Sequence, residues 1–190
     1  MSIFFSMIIH FPLYLILKIK TKILHNEYAQ LWYKDAANFP GKNFFRLLAE
    51  RPYYREILYH RMPGISIAVL RRLYPSYTHW SVGHSRKMKL GGGIYLDHPY
   101  CSVLNAKKIG SNFKMKHMVT VGNNRGGVPI IGDNVFVGCG AVIAGDIVVG
   151  DNVDIGANCV VLKNVPSNCT VVGNPAYIVK LNGEKVYIKL

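Results

Sequence analysis

A six-residue repeat between residues 131 and 165 constrains the fold more than any other feature of this chain. A β-branched apolar residue recurs at every sixth position without a slip, at Ile131, Val137, Ile143, Val149, Ile155 and Val161. A Gly or Ala follows each of these residues except the last, which Leu162 follows. A six-residue period is typical of a parallel β-helix, in which each repeat forms one side of a triangular coil. The pattern predicts coils of about 18 residues stacked about 4.8 Å apart, with β-branched side chains inside and small residues at tight corners.

Looser hexads extend the pattern toward the N-terminus, with Val103, Ile109, Met115 and Val121 at the predicted inward positions. Ten residues separate Val121 from Ile131 where the repeat requires six. The surplus, around residues 123–129, must leave the coil as a loop. Loops carried by a rigid scaffold often hold functional residues, so we expect this one to be functional.

The flanking segments differ from the repeat. Residues 25–77 have a helical pattern that predicts helices near 43–50, 53–61 and 65–73. Asn182-Gly183 lies between short apolar runs, which predicts a hairpin that caps the last coil. The sequence thus predicts a mainly β protein with a helical segment at 1–80, a β-helix at 81–176 and a tail or hairpin at 177–190.

The charge distribution favours an anionic partner. The formal net charge is +13, and residues 1–90 hold 14 Lys and Arg against four Asp and Glu. A phosphorylated cofactor, an acidic glycan or an anionic membrane surface would suit this excess. Nucleic acid is not expected, because no nucleic-acid-binding motif is present. The four cysteines form no C-x-x-C pair, which predicts reduced packing residues, no metal site and a cytoplasmic protein.

Residues 3–17 form an apolar run followed by Lys18, Lys20 and Lys22. The run is shorter than the roughly 20 residues of a spanning helix, and His10 and Pro12 interrupt it. A secretory signal is not expected, because no basic region precedes the run and no small-residue cleavage site follows it. Two interpretations remain open: a helix buried against the rest of the protein, or peripheral contact of residues 1–22 with an anionic inner membrane.

Several motifs in residues 90–180 resemble the serine acetyltransferase branch of the hexapeptide-repeat acyltransferases. They are IYLDH at 94–98, VTVGNN at 119–124, the strict hexads, VVLKNVPSN at 160–168 and VVGNPAYIV at 171–179. The resemblance implies a left-handed parallel β-helix that assembles as a homotrimer with acetyl-CoA sites between neighbouring subunits. It also implies an O-acetyltransferase that uses acetyl-CoA as co-substrate.

The same resemblance bears on the acceptor. The loop GNNRGGVP at 122–129 is similar to that of short family members from surface-polysaccharide gene sets. Serine-specific members carry a longer loop with a His, and an Asp about fifteen residues before the catalytic His. This chain has no His after residue 117, and Gly83 stands fifteen residues before His98. We therefore expect a sugar hydroxyl of a surface polysaccharide as acceptor. Serine O-acetylation for cysteine biosynthesis and a non-catalytic trimeric scaffold are the alternatives.

Acetyl transfer to a hydroxyl needs a base at the attacking oxygen, and an imidazole titrates near the working pH. His98 matches the family's catalytic position, and Asp97 is expected to contact the acceptor or fix the loop. His84 is a candidate to orient His98, and His117 is the second candidate base. Direct transfer without an acyl-enzyme is expected, because two bound substrates gain rate from proximity.

The thin pantetheine arm requires a groove of small side chains along stacked coils. We expect an oxyanion donor from a backbone N–H near Gly122 and a contact of Asn123, at the loop entrance, with cofactor or acceptor. The resemblance implies that Lys163 and Lys180 contact CoA, where cations would suit its phosphates. The predicted cofactor-binding residues are Gly122, Asn123, Cys139, Ala141, Ala157, Cys159, Lys163 and Lys180.

Overall fold

The protein forms two compact units, Met1–Thr78 and His79–Leu190. The computed structural model describes residues 11–13, 15–16, 19, 27–39, 44–62, 65–76, 79–83 and 88–190. Most of residues 1–22, for which membrane contact is the open alternative, lies outside these ranges, as does His84. No helix among the described residues is long and apolar enough to cross a membrane.

The first unit is helical, as the sequence predicts. Its described helices are α1 Glu27–Ala37, α2 Phe44–Glu50, α3 Tyr54–Arg61 and α4 Ile65–Leu73. Two buried arginines tie them together. The Arg61 guanidinium donates to Asp35 at 2.5 Å, and Arg55 donates to the carbonyls of Leu48 and Pro75 at 3.1 and 2.9 Å. Buried cations need such partners, so these pairs fix how the helices pack.

The second unit is a parallel β-helix, which confirms the predicted fold class. Sheet A has the strand order β1-β4-β7-β10-β13, sheet B has β11-β8-β5-β2, and sheet C has β16-β15-β14-β12-β9-β6-β3, in which β15 is Tyr177–Leu181 and β16 is Glu184–Lys189. From β1 to β13, strands three places apart in the chain pair in parallel, so three strands make one coil; β12 pairs in parallel with β14, two places on. The first coils hold β1 Trp80–Val82, β2 Lys89–Leu90, β3 Tyr95–Leu96, β4 Ser102–Leu104, β5 Lys108–Ile109, β6 Lys114–Met115, β7 Thr120–Gly122, β8 Ile130–Ile131 and β9 Phe136–Val137. The later ones hold β10 Val142–Ala144, β11 Val148–Val149, β12 Asp154–Ile155, β13 Val160–Val161 and β14 Cys169–Val172.

The hexad residues fill the interior of the prism, as predicted. Ile131 pairs with Val149, Val137 with Ile155 and Ile143 with Val161, each 18 residues apart. All six residues are fully buried. Burial of an Ile or Val side chain contributes about 1.5–3 kcal/mol, so the repeat supplies a continuous core along the axis.

Close packing between coils, rather than a positive φ, requires the glycines at positions 138 and 150. A Cβ on Gly150 would lie 2.6 Å from the backbone nitrogen of Ser167, and one on Gly138 would lie 2.6 Å from that of Ala157. The left-handed corner positions come two residues after each of these glycines, at Asn152 and Gly140. Asn tolerates this conformation better than most residues.

Asn152 belongs to a row of asparagines that bond to each other along one corner of the β-helix. The Asn112 amide donates to Asn134 at 2.9 Å, Asn134 to Asn152 at 3.0 Å and Asn152 to Asn168 at 2.9 Å. Asparagine ladders of this kind add side-chain hydrogen bonds to a stack of strands.

The predicted loop and hairpin are both present. Residues 123–129 leave the coil in a tight turn, in which Asn124 and Gly127 exchange backbone hydrogen bonds at 3.0 and 3.1 Å. At the C-terminus, β15 Tyr177–Leu181 and β16 Glu184–Lys189 form an antiparallel hairpin that extends sheet C.

One predicted inward residue is wrong. Val103 is 40% exposed on the outer face of sheet A, and Leu104 is fully buried instead. Val103 is six positions before Ile109, but Leu104 lies eight positions after Leu96 and only five before Ile109, because the preceding corner is two residues longer and the following side one residue shorter than in a regular hexad.

Candidate active site

The longer corner between sheets C and A carries most of the chemically active side chains. We call it the C–A corner, and it comprises residues 97–101, 116–118, 138–140 and 156–158 of four successive coils. The two additional residues of its first coil make the chain bulge outward at His98. The bulge places an imidazole on the outside of the prism, at a corner whose last two coils, 138–140 and 156–158, carry only small residues.

His98 lies on the surface of the prism with its ring accessible. Its side chain is 59% exposed, and Nε2 lies 3.8 Å from Oδ1 of Asp97. The ring stacks on Tyr100 with centroids 6.0 Å apart and planes at 27°. The backbone φ of 51° is in the left-handed region, which non-glycine residues adopt mainly where the surrounding structure imposes it. The fold therefore fixes the direction in which this imidazole projects.

Asp97 has a second neighbour that the sequence motifs do not indicate. Oδ2 of Asp97 lies 2.6 Å from Nζ of Lys116, which belongs to the next coil. The hydrogen bond to Asp97, with the attraction of its negative charge, raises the pKa of the Lys116 ammonium. A cation, a carboxylate and an imidazole thus form one line across two coils.

The later coils of this corner form a column of small residues. Gly140 donates its N–H to the carbonyl of His117 at 3.1 Å, and Asn158 donates to that of Cys139 at 2.8 Å. Cys139 is half-buried and Ala157 is exposed at the equivalent position one coil further on. These two predicted groove residues lie on the same corner as His98. His117, the second candidate base, is exposed there too.

Ala141 and Cys159 do not line a groove, and this part of the prediction is wrong. Both side chains are 0% exposed, because they occupy inward positions of the hexads and fill the core. Burial raises the pKa of the Cys159 thiol to about 11, which keeps it protonated at neutral pH. Their contribution is to packing.

The remaining predicted cofactor residues lie elsewhere on the chain. Gly122 ends β7 in sheet A, where it pairs with Ala144 and accepts a hydrogen bond from Gly145 at 3.2 Å. Asn123 begins the loop and accepts the N–H of Gly126 at 3.2 Å. Lys163 is exposed at the corner between sheets A and B, and Lys180 is exposed on β15 beside Thr170. Neither lysine shares the C–A corner with His98, so the fold of one chain does not bring all these residues together.

The arrangement suits proton transfer. An exposed imidazole beside a carboxylate can accept a proton, and the carboxylate stabilises the imidazolium that results. The described residues contain no group of three His, Cys, Asp or Glu side chains that could hold a metal ion.

The hexapeptide repeat matches a known family of proteins. Residues 129–163 match the family model described as bacterial transferase hexapeptide (six repeats). The strict hexads thus match this family model, and the parallel β-helix is the fold that such repeats predict.

The relatives in sequence and structure are serine acetyltransferases. The chain is 39% identical to the serine acetyltransferase of Staphylococcus xylosus over 125 residues, which cover 62% of this chain and 58% of that relative. The serine acetyltransferase of Neisseria gonorrhoeae in complex with serine superimposes with a TM-score of 0.67, at 26% identity, over 83% of this chain and 71% of that one. The serine acetyltransferase of Brucella abortus strain S19 in complex with coenzyme A gives 0.69 at 26% identity, over 88% and 72%.

The chain spans 24% to 31% of the length of three plant serine acetyltransferases that it also matches. The sequence similarity to these relatives therefore covers only part of each protein.

These relatives overturn the expected acceptor. A sugar hydroxyl of a surface polysaccharide was favoured because two residues typical of serine-specific members are missing, but the matches in both sequence and structure are serine acetyltransferases. The missing loop His and the missing Asp show only that this chain does not use those two residues to bind an acceptor. Their absence does not identify a different acceptor. The alternative, serine O-acetylation, is the better-supported interpretation.

Proposed function

We propose that this chain is an acetyl-CoA-dependent serine O-acetyltransferase. The proposal depends on one observation above all: the fold is similar, over 83% of the chain, to that of a serine acetyltransferase in complex with serine. The candidate base, His98, is accessible to solvent at a corner of that fold, which supports the same interpretation.

The proposed reaction is a direct transfer. The His98 imidazole accepts the proton of the serine hydroxyl as the hydroxyl oxygen bonds to the thioester carbonyl carbon. The carbon–sulfur bond then breaks, and the imidazolium protonates the thiolate that leaves. Asp97, 3.8 Å from Nε2, would stabilise the imidazolium while both substrates are bound. The products are O-acetylserine and free CoA.

The column of small residues on the C–A corner is the proposed path of the pantetheine arm. Cys139 and Ala157 offer a narrow surface, and Gly138 and Gly156 bring no side chain into it. Lys163 and Lys180 are proposed to bind CoA phosphates, with Gly122 and Asn123 near the thioester. Because these residues lie away from His98 in one chain, we propose that they act across subunits of a homotrimer, with acetyl-CoA between neighbouring copies.

A thiol-release assay tests the proposal. We expect the purified chain to release CoA from acetyl-CoA in proportion to added L-serine. L-alanine is the matched control, because it differs from L-serine only by the missing hydroxyl group. A rate with L-serine no greater than that with L-alanine would exclude the proposed activity.

A further inference from the structure

The backbone fixes Asp97 and Lys116 as neighbours. Leu96 pairs with Met115 in sheet C, and the N–H of Asp97 donates to the carbonyl of Met115 at 2.9 Å. Asp97 and Lys116 therefore hold equivalent positions in adjacent coils. Opposite charges placed directly across a strand pair attract each other, and here the register places the two residues side by side.

The two oxygens of the Asp97 carboxylate have different partners. Oδ2 accepts from the Lys116 ammonium at 2.6 Å, and Oδ1 lies 3.8 Å from Nε2 of His98. The next two coils carry Gly138 and Gly156 at this position. In the two coils that follow that of Lys116, the equivalent position therefore carries neither a side chain nor a charge.

We propose that Lys116 is a positioning residue that holds the Asp97 carboxylate with one oxygen toward His98 and limits how strongly that carboxylate favours the imidazolium. This inference rests on the proposed function, in which His98 must be a neutral base before transfer. A carboxylate alone would favour the charged imidazole, and a cation bonded to the same carboxylate opposes that effect. The shift of the Lys116 pKa to higher values, caused mainly by its hydrogen bond to Asp97, agrees with a lysine that stays charged in this pair.

Other titratable groups share the corner and must be counted with this pair. Tyr100 stacks on the His98 ring from its own coil, and the remaining groups lie on the C–A corner or beside Lys116: Cys101, His117, Cys139 and Tyr95. The tyrosine and cysteine side chains are neutral when protonated, and the His117 imidazole is neutral when unprotonated. Asp97 and Lys116 are the only fixed charges on this corner within the described residues.

The test is a pH titration of His98 in the free protein, followed through the ring resonances of 13C-histidine and assigned with the His98→Asn variant. Lys116→Met removes the charge and keeps much of the side chain's length, and we expect it to move the His98 titration to higher pH, because the Asp97 carboxylate then acts on the imidazole without an opposing cation. Lys114→Met is the matched control, because it removes an exposed lysine two residues earlier, on β6 in sheet C, outside the C–A corner. Lys116→Arg should restore the wild-type titration, since a guanidinium can bond to the same carboxylate.

Kinetics give a second measurement. We expect Lys116→Met to lower kcat with serine about threefold to tenfold and to leave the KM for acetyl-CoA unchanged. An unchanged His98 titration in Lys116→Met, or an equal shift in Lys114→Met, would overturn the positioning role. If His98 titrates as expected but no variant and no wild-type protein acetylates serine, the positioning role stands and the proposed function fails.

Discussion

Replacement of His98 is the perturbation that separates catalysis from folding most cleanly. We choose His98→Asn, because the backbone at this position is left-handed and Asn adopts that conformation at several other corners of the same β-helix, among them Asn134, Asn152 and Asn158. The substitution removes the imidazole and keeps a residue suited to the bulge.

The structure sets the two magnitudes. The His98 side chain is 59% exposed and its nearest charged group lies 3.8 Å away, beyond hydrogen-bonding distance, so we expect the free energy of unfolding to change by no more than about 0.5 kcal/mol. Loss of a general base typically costs 10²- to 10⁴-fold in rate, or roughly 3–5 kcal/mol in the activation barrier. The predicted loss of kcat/KM for serine is therefore at least about a hundredfold.

The assay is thiol release from acetyl-CoA with L-serine, together with thermal unfolding of each variant. His117→Asn is the matched control, because His117 is an exposed histidine on the next coil of the same corner. We expect it to stay within about threefold of wild type, as a surface substitution that removes no catalytic group. If His98→Asn keeps activity within the same threefold, or if His117→Asn loses as much as we expect of His98→Asn, then His98 is not the base.

Three further predictions concern the β-helix itself. In a denaturant titration, Gly150→Ala should lower the free energy of unfolding by about 1–3 kcal/mol, since its Cβ would lie 2.6 Å from the Ser167 nitrogen. Gly122→Ala is the control: its Cβ would lie 3.7 Å from the Thr120 side chain, so it should lower the free energy of unfolding by less than half as much. Asn152→Ala breaks two hydrogen bonds of the asparagine ladder and strains a left-handed corner, whereas Asn152→Gly breaks only the hydrogen bonds. In thermal melts the Ala variant should therefore be the less stable of the two by about 1–2 kcal/mol. Equal stability of the two variants would show that the left-handed backbone at this corner does not strain alanine. The pKa of the Cys159 thiol rises on folding from 9.0 to about 11, so its contribution to stability is complete below pH 9 and is lost as the pH rises toward 11. Unfolding free energies of wild type and Cys159→Ala should therefore diverge with pH only above 9, and parallel curves would contradict this.

The sequence predicts the fold well because one strong periodicity dictates it. A β-branched residue at every sixth position can be buried only if each repeat forms one side of a coil, and Ile131 through Val161 do so. The pattern fails where the corner length changes. The longer corner at 97–101 and the shorter side that follows it move the inward position from Val103 to Leu104, and no local feature of the sequence indicates that shift.

The site is less predictable, since it depends on which residues become neighbours between coils. Cys139 and Ala157 are placed on one corner by their 18-residue spacing, which sequence can reveal. Ala141 and Cys159 are equally small and have the same spacing, but they point inward. Their apolar partners at equivalent hexad positions, such as Val135 and Val153, are the signal that could have identified them as core.

Lys116 shows what register adds to a motif. Nothing in the sequence around it suggests a role, because it is one lysine in a basic chain. Once Leu96 is paired with Met115, the residue after each must stack, and Asp97 meets Lys116. Counting residues from coil to coil predicts that Asp97 and Lys116 are neighbours only if the greater length of the corner at 97–101 is known.

The central claim is that this chain transfers the acetyl group of acetyl-CoA to the serine hydroxyl. The most direct measurement is proton NMR of the products after the full chain is incubated with both substrates. We predict O-acetyl-L-serine in equimolar amount with the CoA released, and neither product above background with His98→Asn. CoA release that is independent of L-serine, with no O-acetylserine formed, would contradict the account.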